Sequence, residues 1–362
     1  LTLRVLHCVS TLRAGGAERQ LAYLAAEQSR LGHDVHIALI SDGVFSRRVA
    51  ASGVTIHRLG AVGNRDPRLI WQLYRLMRSL DVDIVHTRLV QMDVIGGAAA
   101  VARGVPWVLS ERCSVDAYAR NALTAVREWL ARHASAIEAN SAVGAAYWSG
   151  LRPRIPVRVI PAAVPVEEIA AAPAADRASL AIPADAPLIV FAGRFTEQKN
   201  VLLLLDALAR LAAGCDAVTV LCGDGELEAK ARLRAEELGI AQRVRFAGLV
   251  DDVWSWLKIA DVFVAPSHFE GRPNSVMEAA AARCPLVVSE IAAHRELLDD
   301  ASALFVPADD AGGIAAALRR AIDDPVASAA RAARAFDAVA PFSVAAMAAR
   351  VDVLYDEVVR TR

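Results

Sequence analysis

The sequence predicts an α/β protein of two doubly wound domains, each a parallel sheet covered by helices on both faces, facing one another across a cleft. Three observations lead there. The 362 residues exceed what one hydrophobic core usually serves. Short β-branched runs alternate with helical patterns from end to end. Near the middle, residues 161–187 carry five prolines and no strand pattern, and beyond them the alternation restarts.

The strand runs of the first half are LRVLHCV (3–9), DVHIALIS (34–41), VTIHRL (54–59), DIVHTR (83–88), PWVLSE (106–111), AIEANS (136–141) and VRVIP (157–161). Helical patterns at 18–31 and 67–80 separate them. Those of the second half are LIVFAGR (188–194), AVTVLCG (217–223), VRFAGL (244–249), DVFVAPS (261–267), PLVVSE (285–290) and ALFVP (303–307). The domain boundary falls near residue 165, giving domains of 1–164 and 165–342. Ligands in such sheets bind beyond the carboxyl ends of the strands, so those loops carry the search for a site.

Composition excludes several classes. Hydrophobic residues make up 55% of the chain, far above what a disordered protein carries. The net charge of -1 gives no nucleic-acid signature, yet the halves differ. Residues 1–170 hold 20 arginines against 14 acids, while the remainder holds 20 basic and 27 acidic residues. A basic first domain suits an anionic surface. The five cysteines (Cys8, Cys113, Cys215, Cys222, Cys284) are scattered, with no CxxC pair, which points to a reducing cytoplasm rather than a zinc site or disulfide framework. No signal-peptide pattern and no run of about 18 apolar residues is read, so the expectation is a cytoplasmic protein, at most peripheral to a membrane.

Five strand-end loops have ligand-binding character. STLRAGGAERQL places Gly15 and Gly16 before a helix, where backbone can approach a ligand closely; a plain tight turn explains the pair equally well. The pattern matches neither GxGxxG nor the nucleotide P-loop. GRFTEQKN sets Arg194 and Lys199 after Gly193, at a helix start. Lysine is scarce, 3 against 37 arginines, so its placement there is informative. A forked guanidinium and a compact ammonium together suit a diphosphate, and two solvated charges on a loop would be the ordinary explanation. LCGDGELE ends a strand at Gly223 and Asp224, and VRFAGLVDDV puts Leu249 and Val250 where they would flank a base.

The fifth loop is HFEGRPNSVMEA. Pro273 fits a first helical turn, leaving the amides of Asn274, Ser275 and Val276 as donors at a helix N-terminus, a ready anion site. Glu278 lies four beyond Asn274, on the same helical face, and its carboxylate could accept two hydrogen bonds from a vicinal diol such as a ribose. Glu270, one loop earlier, would meet whatever lies beyond the phosphates. One helix-capping acid and one solvated acid would be the ordinary explanation.

GGAER, GRFTEQKN, GDGELE, FAGLVDDV and FEGRPNSVMEA, in this order along nearly the whole chain, resemble the family-4 retaining glycosyltransferases of the GT-B fold. The resemblance implies two Rossmann-like domains, an acceptor-side domain at 1–164 and a nucleotide-sugar domain at 165–342. A last helix, about 343–362, would cross back to the first domain. It implies Arg194 and Lys199 on the donor diphosphate and Glu278 on the ribose. Glu270 and the amides near Gly271, Asn274 and Ser275 would meet the transferred sugar and its phosphate, with Gly16 closing over the pyrophosphate. Two departures stand out. Where many relatives have a histidine, VLSERCS carries Glu111 and Arg112, which become acceptor-side candidates, and the PNG turn at the junction reads PAAV. Arg272 often reads as leucine in relatives, and the sequence assigns it no role.

The implied activity is transfer of a hexose or N-acetylhexosamine, with retention, from a nucleotide diphosphate sugar (UDP favoured) to a glycan or lipid-linked acceptor. No cofactor or metal is expected: the only DxD triplet, Asp81-Val82-Asp83, leads into an apolar strand. A sugar-nucleotide epimerase or a non-catalytic nucleotide-sugar binder would use similar phosphate loops. On the helix at 67–80, Leu69, Ile70, Leu73, Leu76, Met77 and Leu80 gather on one side. Arg68, Trp71, Arg75 and Arg78 gather on the other, a face that suits solvent or anionic lipid, and RNALTAVREWLARH (120–133) adds a similar mix.

Overall fold

The computed structural model of the chain describes residues 2–13, 15–60, 66–112, 121–152, 154–250 and 253–360. They form two compact units, Leu1–Ala163 with Phe342–Arg362, and Val164–Pro341.

The first unit is built on seven strands: β1 (Arg4–Cys8), β2 (Asp34–Leu39), β3 (Thr55–Arg58), β4 (Ile84–Arg88), β5 (Trp107–Glu111), β6 (Ala136–Ala139) and β7 (Val157–Val159). Every pairing is parallel, in the order β3-β2-β1-β4-β5-β6-β7, so the strand order reverses between β1 and β4. The crossovers carry α1 (Gly16–Arg30), α2 (Ser46–Ala51), α3 (Arg68–Leu80), α4 (Val90–Arg103), α5 (Ala122–Leu130) and α6 (Ala142–Leu151). With helices on both faces, every residue of β4 and β5 is buried, which is why those strands read as continuous rather than alternating patterns.

On one face, Leu6, Val85, Leu109 and Ile137 pack with Leu69, Leu73 and Met77 of α3 and with Trp107 and Trp148. The close packing of α4 depends on Gly97, where a Cβ would stand 2.4 Å from the Trp107 ring. Two local expectations shift. Ile70, expected on the buried side of α3, is 36% exposed beside Trp71, because the packed stripe is narrower than the apolar one. Helix α1 begins at Gly16, two residues before its apolar pattern, with Gly15 extended at the N-cap.

The second unit holds β8 (Leu188–Ala192), β9 (Val218–Cys222), β10 (Val244–Gly248), β11 (Val262–Ala265), β12 (Leu286–Ser289) and β13 (Leu304–Val306), again wholly parallel, in the order β10-β9-β8-β11-β12-β13. Its helices are α7 (Val166–Ala171), α8 (Val201–Ala212), α9 (Glu228–Glu237), α10 (Val253–Ile259), α11 (Asn274–Ala281), α12 (Ala292–Arg295), α13 (Ala311–Asp323) and α14 (Pro325–Val339). Leu204, Leu205 and Leu208 of α8 and Ile314 and Leu318 of α13 cover Ile189, Phe191, Val264 and Val287. The proline-rich stretch forms α7 and a 3-10 turn at Arg177–Leu180.

Helix α15 (Val344–Arg360) returns to the first unit, packing along α1 with Met347, Val351, Leu354 and Tyr355 buried. The stretch Pro325–Arg360 has the length and apolar composition of a membrane-crossing helix. It is two helices separated at 340–343, each with a buried face.

Candidate functional site

The strand order of the second unit reverses between β8 and β11, where a doubly wound sheet opens a crevice at its carboxyl edge. The loops flanking that point are GRFTEQKN and HFEGRPNS. Asn200 fastens them: in the left-handed conformation (φ 58°), it starts α8 and donates Nδ2 to Pro266 O (3.1 Å) and Ala308 O (2.6 Å). Gln198 adds a second clasp, its carbonyl accepting from His268 N (2.9 Å) and its Nε2 donating to Phe269 O (3.0 Å). With the backbones held, Lys199 Nζ stands 2.5 Å from Glu270 Oε1, and Ser267 Oγ donates to the same oxygen at 2.8 Å. The paired side chains are 16% and 8% exposed. Two residues expected on different parts of one ligand are therefore ion-paired with each other.

Helix α11 follows. Pro273 occupies its N-cap rather than its first turn, a shift of one residue that still spends no amide hydrogen. The first i→i−4 bond runs from Met277 N to Pro273 O (3.0 Å), while Asn274 N donates to Arg272 O (3.0 Å). The amides of Ser275 and Val276 thus lead the helix, where its dipole favours an anion. Glu278 lies on this helix, 3% exposed.

Gly223, at φ 141°, lies so close to the β8 loop that a Cβ would meet Gly193 O at 2.0 Å. Gly193 in turn lies against the Lys199 stem, its virtual Cβ 3.4 Å from Cδ and Cε. Asp224 O accepts from Phe195 N (2.6 Å). Arg194 and Leu249 are exposed, and Gly271 and Val250 are half-buried.

Two family models match the chain and between them run through both units: Glycosyltransferase Family 4 over residues 14–168 and Glycosyl transferases group 1 over 174–336. The chain belongs to the family-4 glycosyltransferases. A lipopolysaccharide core biosynthesis glycosyltransferase of Rhizobium meliloti is 38% identical over 152 residues, 42% of this chain and 44% of that protein. The UDP-Gal:alpha-D-GlcNAc-diphosphoundecaprenol alpha-1,3-galactosyltransferase of Escherichia coli is 26% identical over 284 residues, 72% of each chain. The match thus spans less than half the length of the first relative. Among solved structures, Anabaena HepE in complex with UDP and glucose superposes with a TM-score of 0.86 at 19% identity, over 98% of this chain and 100% of that one. The fold is that of the GT-B glycosyltransferases.

In the first unit of this glycosyltransferase, Glu111 and Arg112, expected on the acceptor side, have their side chains buried among internal partners. Glu111 Oε2 accepts from Arg127 Nη1 (2.9 Å) and Trp148 Nε1 (2.8 Å), and Arg127 Nε donates to Asp93 (2.7 Å). Arg112 Nη2 lies 2.7 Å from both oxygens of Glu138, which also accepts from Ser110 Oγ (2.9 Å). His86 Nε2 is 2.9 Å from Glu138, so the Tyr355 hydroxyl of α15 donates to His86 Nδ1, at 2.6 Å. Arg88 completes the group, 3.0 Å from His7 Nδ1 and 4.0 Å from Glu138.

Three arginines (88, 112, 127) and three acids (93, 111, 138), all buried, therefore balance one another around β4, β5 and β6. Burial opposes ionisation of Glu138, yet Arg112, His86 and Arg88 overcome it and hold the carboxylate well below its usual range. Burial and Arg88 push His86 down to about 4, and burial raises Asp93 to about 6 against the pull of Arg127.

Sequence reading missed all of this network except Glu111 and Arg112, along with Gln20. The buried amide of Gln20 grips Ala163 from both sides, accepting from its N (2.7 Å) and donating to its O (2.8 Å). In the DxD triplet, Asp83 Oδ2 accepts from Arg4 N at 2.7 Å, and Asp81 ends α3. Among the described residues no group of three His, Cys, Asp or Glu is placed to hold a metal ion.

Proposed function

We propose that this protein transfers a hexose or N-acetylhexosamine from a UDP-sugar to a glycan or lipid-linked acceptor, with retention and without a metal. The Lys199–Glu270 pair beside the start of α11 carries the reading. Breaking the bond between the anomeric carbon and a diphosphate puts negative charge on phosphate oxygens, and preorganised donors aimed there are the strongest lever on the rate. Arg194, Lys199 and the leading amides of α11 are such donors. An arriving diphosphate competes with Glu270 for Lys199, and the released carboxylate turns to the sugar. Glu278 takes the ribose diol, Leu249 and Val250 flank the base, and Gly193, Gly223 and Asp224 shape the phosphate loop. The donor named for the Escherichia coli relative and the UDP and glucose in the HepE structure support a UDP-sugar. The first unit is assigned the acceptor.

Thermal shift with a panel of UDP- and GDP-sugars tests the donor. A UDP-sugar is expected to give the largest stabilisation and then to be consumed only when lipid-linked glycans are added, with product identified by mass spectrometry. Turnover without acceptor to an epimerised sugar, or binding with no turnover, defeats the reading. Loss of activity to a chelator with recovery on manganese defeats metal independence.

We further propose peripheral attachment of this cytoplasmic enzyme to anionic lipid. On α3, Arg75 stacks on the exposed Trp71 (4.7 Å), whereas Arg68 is engaged with Asp66 (2.6 Å). Helices α5 and α6 offer more apolar surface: Leu123, Val126 and Trp129 recur every three residues and are exposed, as is Val143. Arg132 stacks on Trp129 at 3.9 Å. Exposed aromatic and aliphatic side chains edged by arginine suit a headgroup layer. Flotation with vesicles of phosphatidylcholine and phosphatidylglycerol is expected to fall severalfold for Val126→Ser/Trp129→Ser, and by less for Arg75→Glu/Arg78→Glu. Equal flotation of all three proteins removes the attachment.

A further inference from the structure

Behind Glu270 lies a chain of contacts that no part of the proposed chemistry has used. Ser267, which donates to Glu270, is itself held from the next strand: Ser289 Oγ, at the end of β12, donates to Ser267 O at 2.6 Å. Three residues after Ser289 the chain turns into α12, and His294 Nδ1 comes back to Ser289 O at 2.8 Å. A carbonyl oxygen only accepts, so the proton of the neutral ring sits on Nδ1. Ser267, Ser289 and His294 are all fully or almost fully buried.

Nε2 of His294 is buried without a hydrogen-bond partner among the described residues, an arrangement that costs about 1–3 kcal/mol and that a leucine would avoid. Burial keeps the ring neutral, and it lies within electrostatic reach of both Glu270 and Lys199. Glu296, two residues further on, reaches the other end of the same loop, its Oε1 3.8 Å from Nη1 of the buried Arg272.

We infer that the segment Ser289–Glu296 is a brace for the loop Ser267–Asn274, with His294 and Arg272 as positioning residues that set where the Glu270 carboxylate stands. His294 fixes the upstream end through Ser289 and Ser267. Arg272 fixes the downstream end, where its cation meets the carboxylate of Glu296. Neither touches the reacting atoms. Both act by denying Glu270 alternative rotamers, so that it holds Lys199 until a diphosphate displaces it. The role rests on the reading of Glu270 and Lys199 proposed above, but the brace has a signature of its own, because Lys199 is one of only three lysines in the chain.

Acylation of the full chain with acetic anhydride, followed by peptide mass spectrometry, reports Lys199 against Lys230 and Lys258 as internal references. In the wild type Lys199 is expected to be the slowest of the three. Glu270→Gln frees it, and His294→Leu and Ser267→Ala are expected to raise its rate severalfold at unchanged rates for Lys230 and Lys258. His294→Asn, which retains an N–H donor close to the position of Nδ1, is expected to restore protection. In turnover, His294→Leu and Arg272→Leu are expected to lower kcat on the order of tenfold with KM for the UDP-sugar little changed.

Protection of Lys199 in His294→Leu equal to that of the wild type, while Glu270→Gln exposes it, overturns the brace and leaves the proposed function standing. Failure of His294→Asn to restore protection in a protein that melts normally also overturns it. If no UDP-sugar turns over, the proposed function fails, and the acylation pattern still decides the brace.

Discussion

Glu270→Gln is expected to slow sugar transfer by roughly 10²–10³-fold while leaving the affinity for UDP intact or slightly higher. The asymmetry follows from the ion pair. In the wild type a diphosphate must draw Lys199 away from a carboxylate 2.5 Å distant, whereas a neutral amide releases it at less cost. Glu278→Gln is expected to do the opposite. Loss of charge-assisted hydrogen bonds to a ribose diol costs about 1.5–3 kcal/mol, or roughly 10–100-fold in UDP affinity. Turnover at saturating donor should change little. Calorimetric titration of UDP beside steady-state kinetics separates the two, and matching profiles for both variants would return these glutamates to ordinary helix capping.

Glu138→Gln should cause the largest loss of stability, on the order of 3–5 kcal/mol, because it leaves Arg88 and Arg112 buried without the carboxylate between them. For a unit of this size that corresponds to a fall in Tm of roughly 10 °C, read by calorimetry. An unchanged Tm would mean that water solvates the arginines or that a rearranged Glu111 neutralises them. Acid acts on the same group. His86, held at about 4 against an ordinary 6.5, contributes stability that is full above 6.5 and lost as the pH falls towards 4. Glu138, depressed, adds a further loss below its ordinary range, and Asp93, raised to about 6, works the other way between its ordinary range and 6.

The sheet topology was legible because parallel strands buried on both faces concentrate Val, Ile and Leu into runs that end at glycine, proline or a polar turn. Each of the thirteen strand runs contains a strand, shorter than the run by one to three residues. Short elements escaped: α12 has four residues, too few for a helical period, and α7 lies among prolines that mask its pattern. In the second unit the residue types told what each loop suits, but not that Lys199 and Glu270, 71 residues apart, would bond to one another. The buried network around β4 was invisible for a related reason. In DIVHTR the histidine and arginine look like polar residues of an alternating strand, and their partners lie on β1, β6 and α15. Glu111 and Arg112 drew attention by standing where the family resemblance led one to expect a histidine, and their burial follows from partners that no local pattern discloses.

The return of α15 gives the two units unequal histories during synthesis. The second unit is one unbroken stretch, Val164–Pro341, whereas the first is closed by residues translated after it. Until α15 emerges, the apolar side of α1 lacks its cover and His86 lacks the Tyr355 hydroxyl. The ribosome therefore delivers a unit able to complete its core first and, ahead of it in the chain, one that must wait. The waiting unit keeps apolar surface open for the time taken to translate a whole domain, and chaperone demand should fall there.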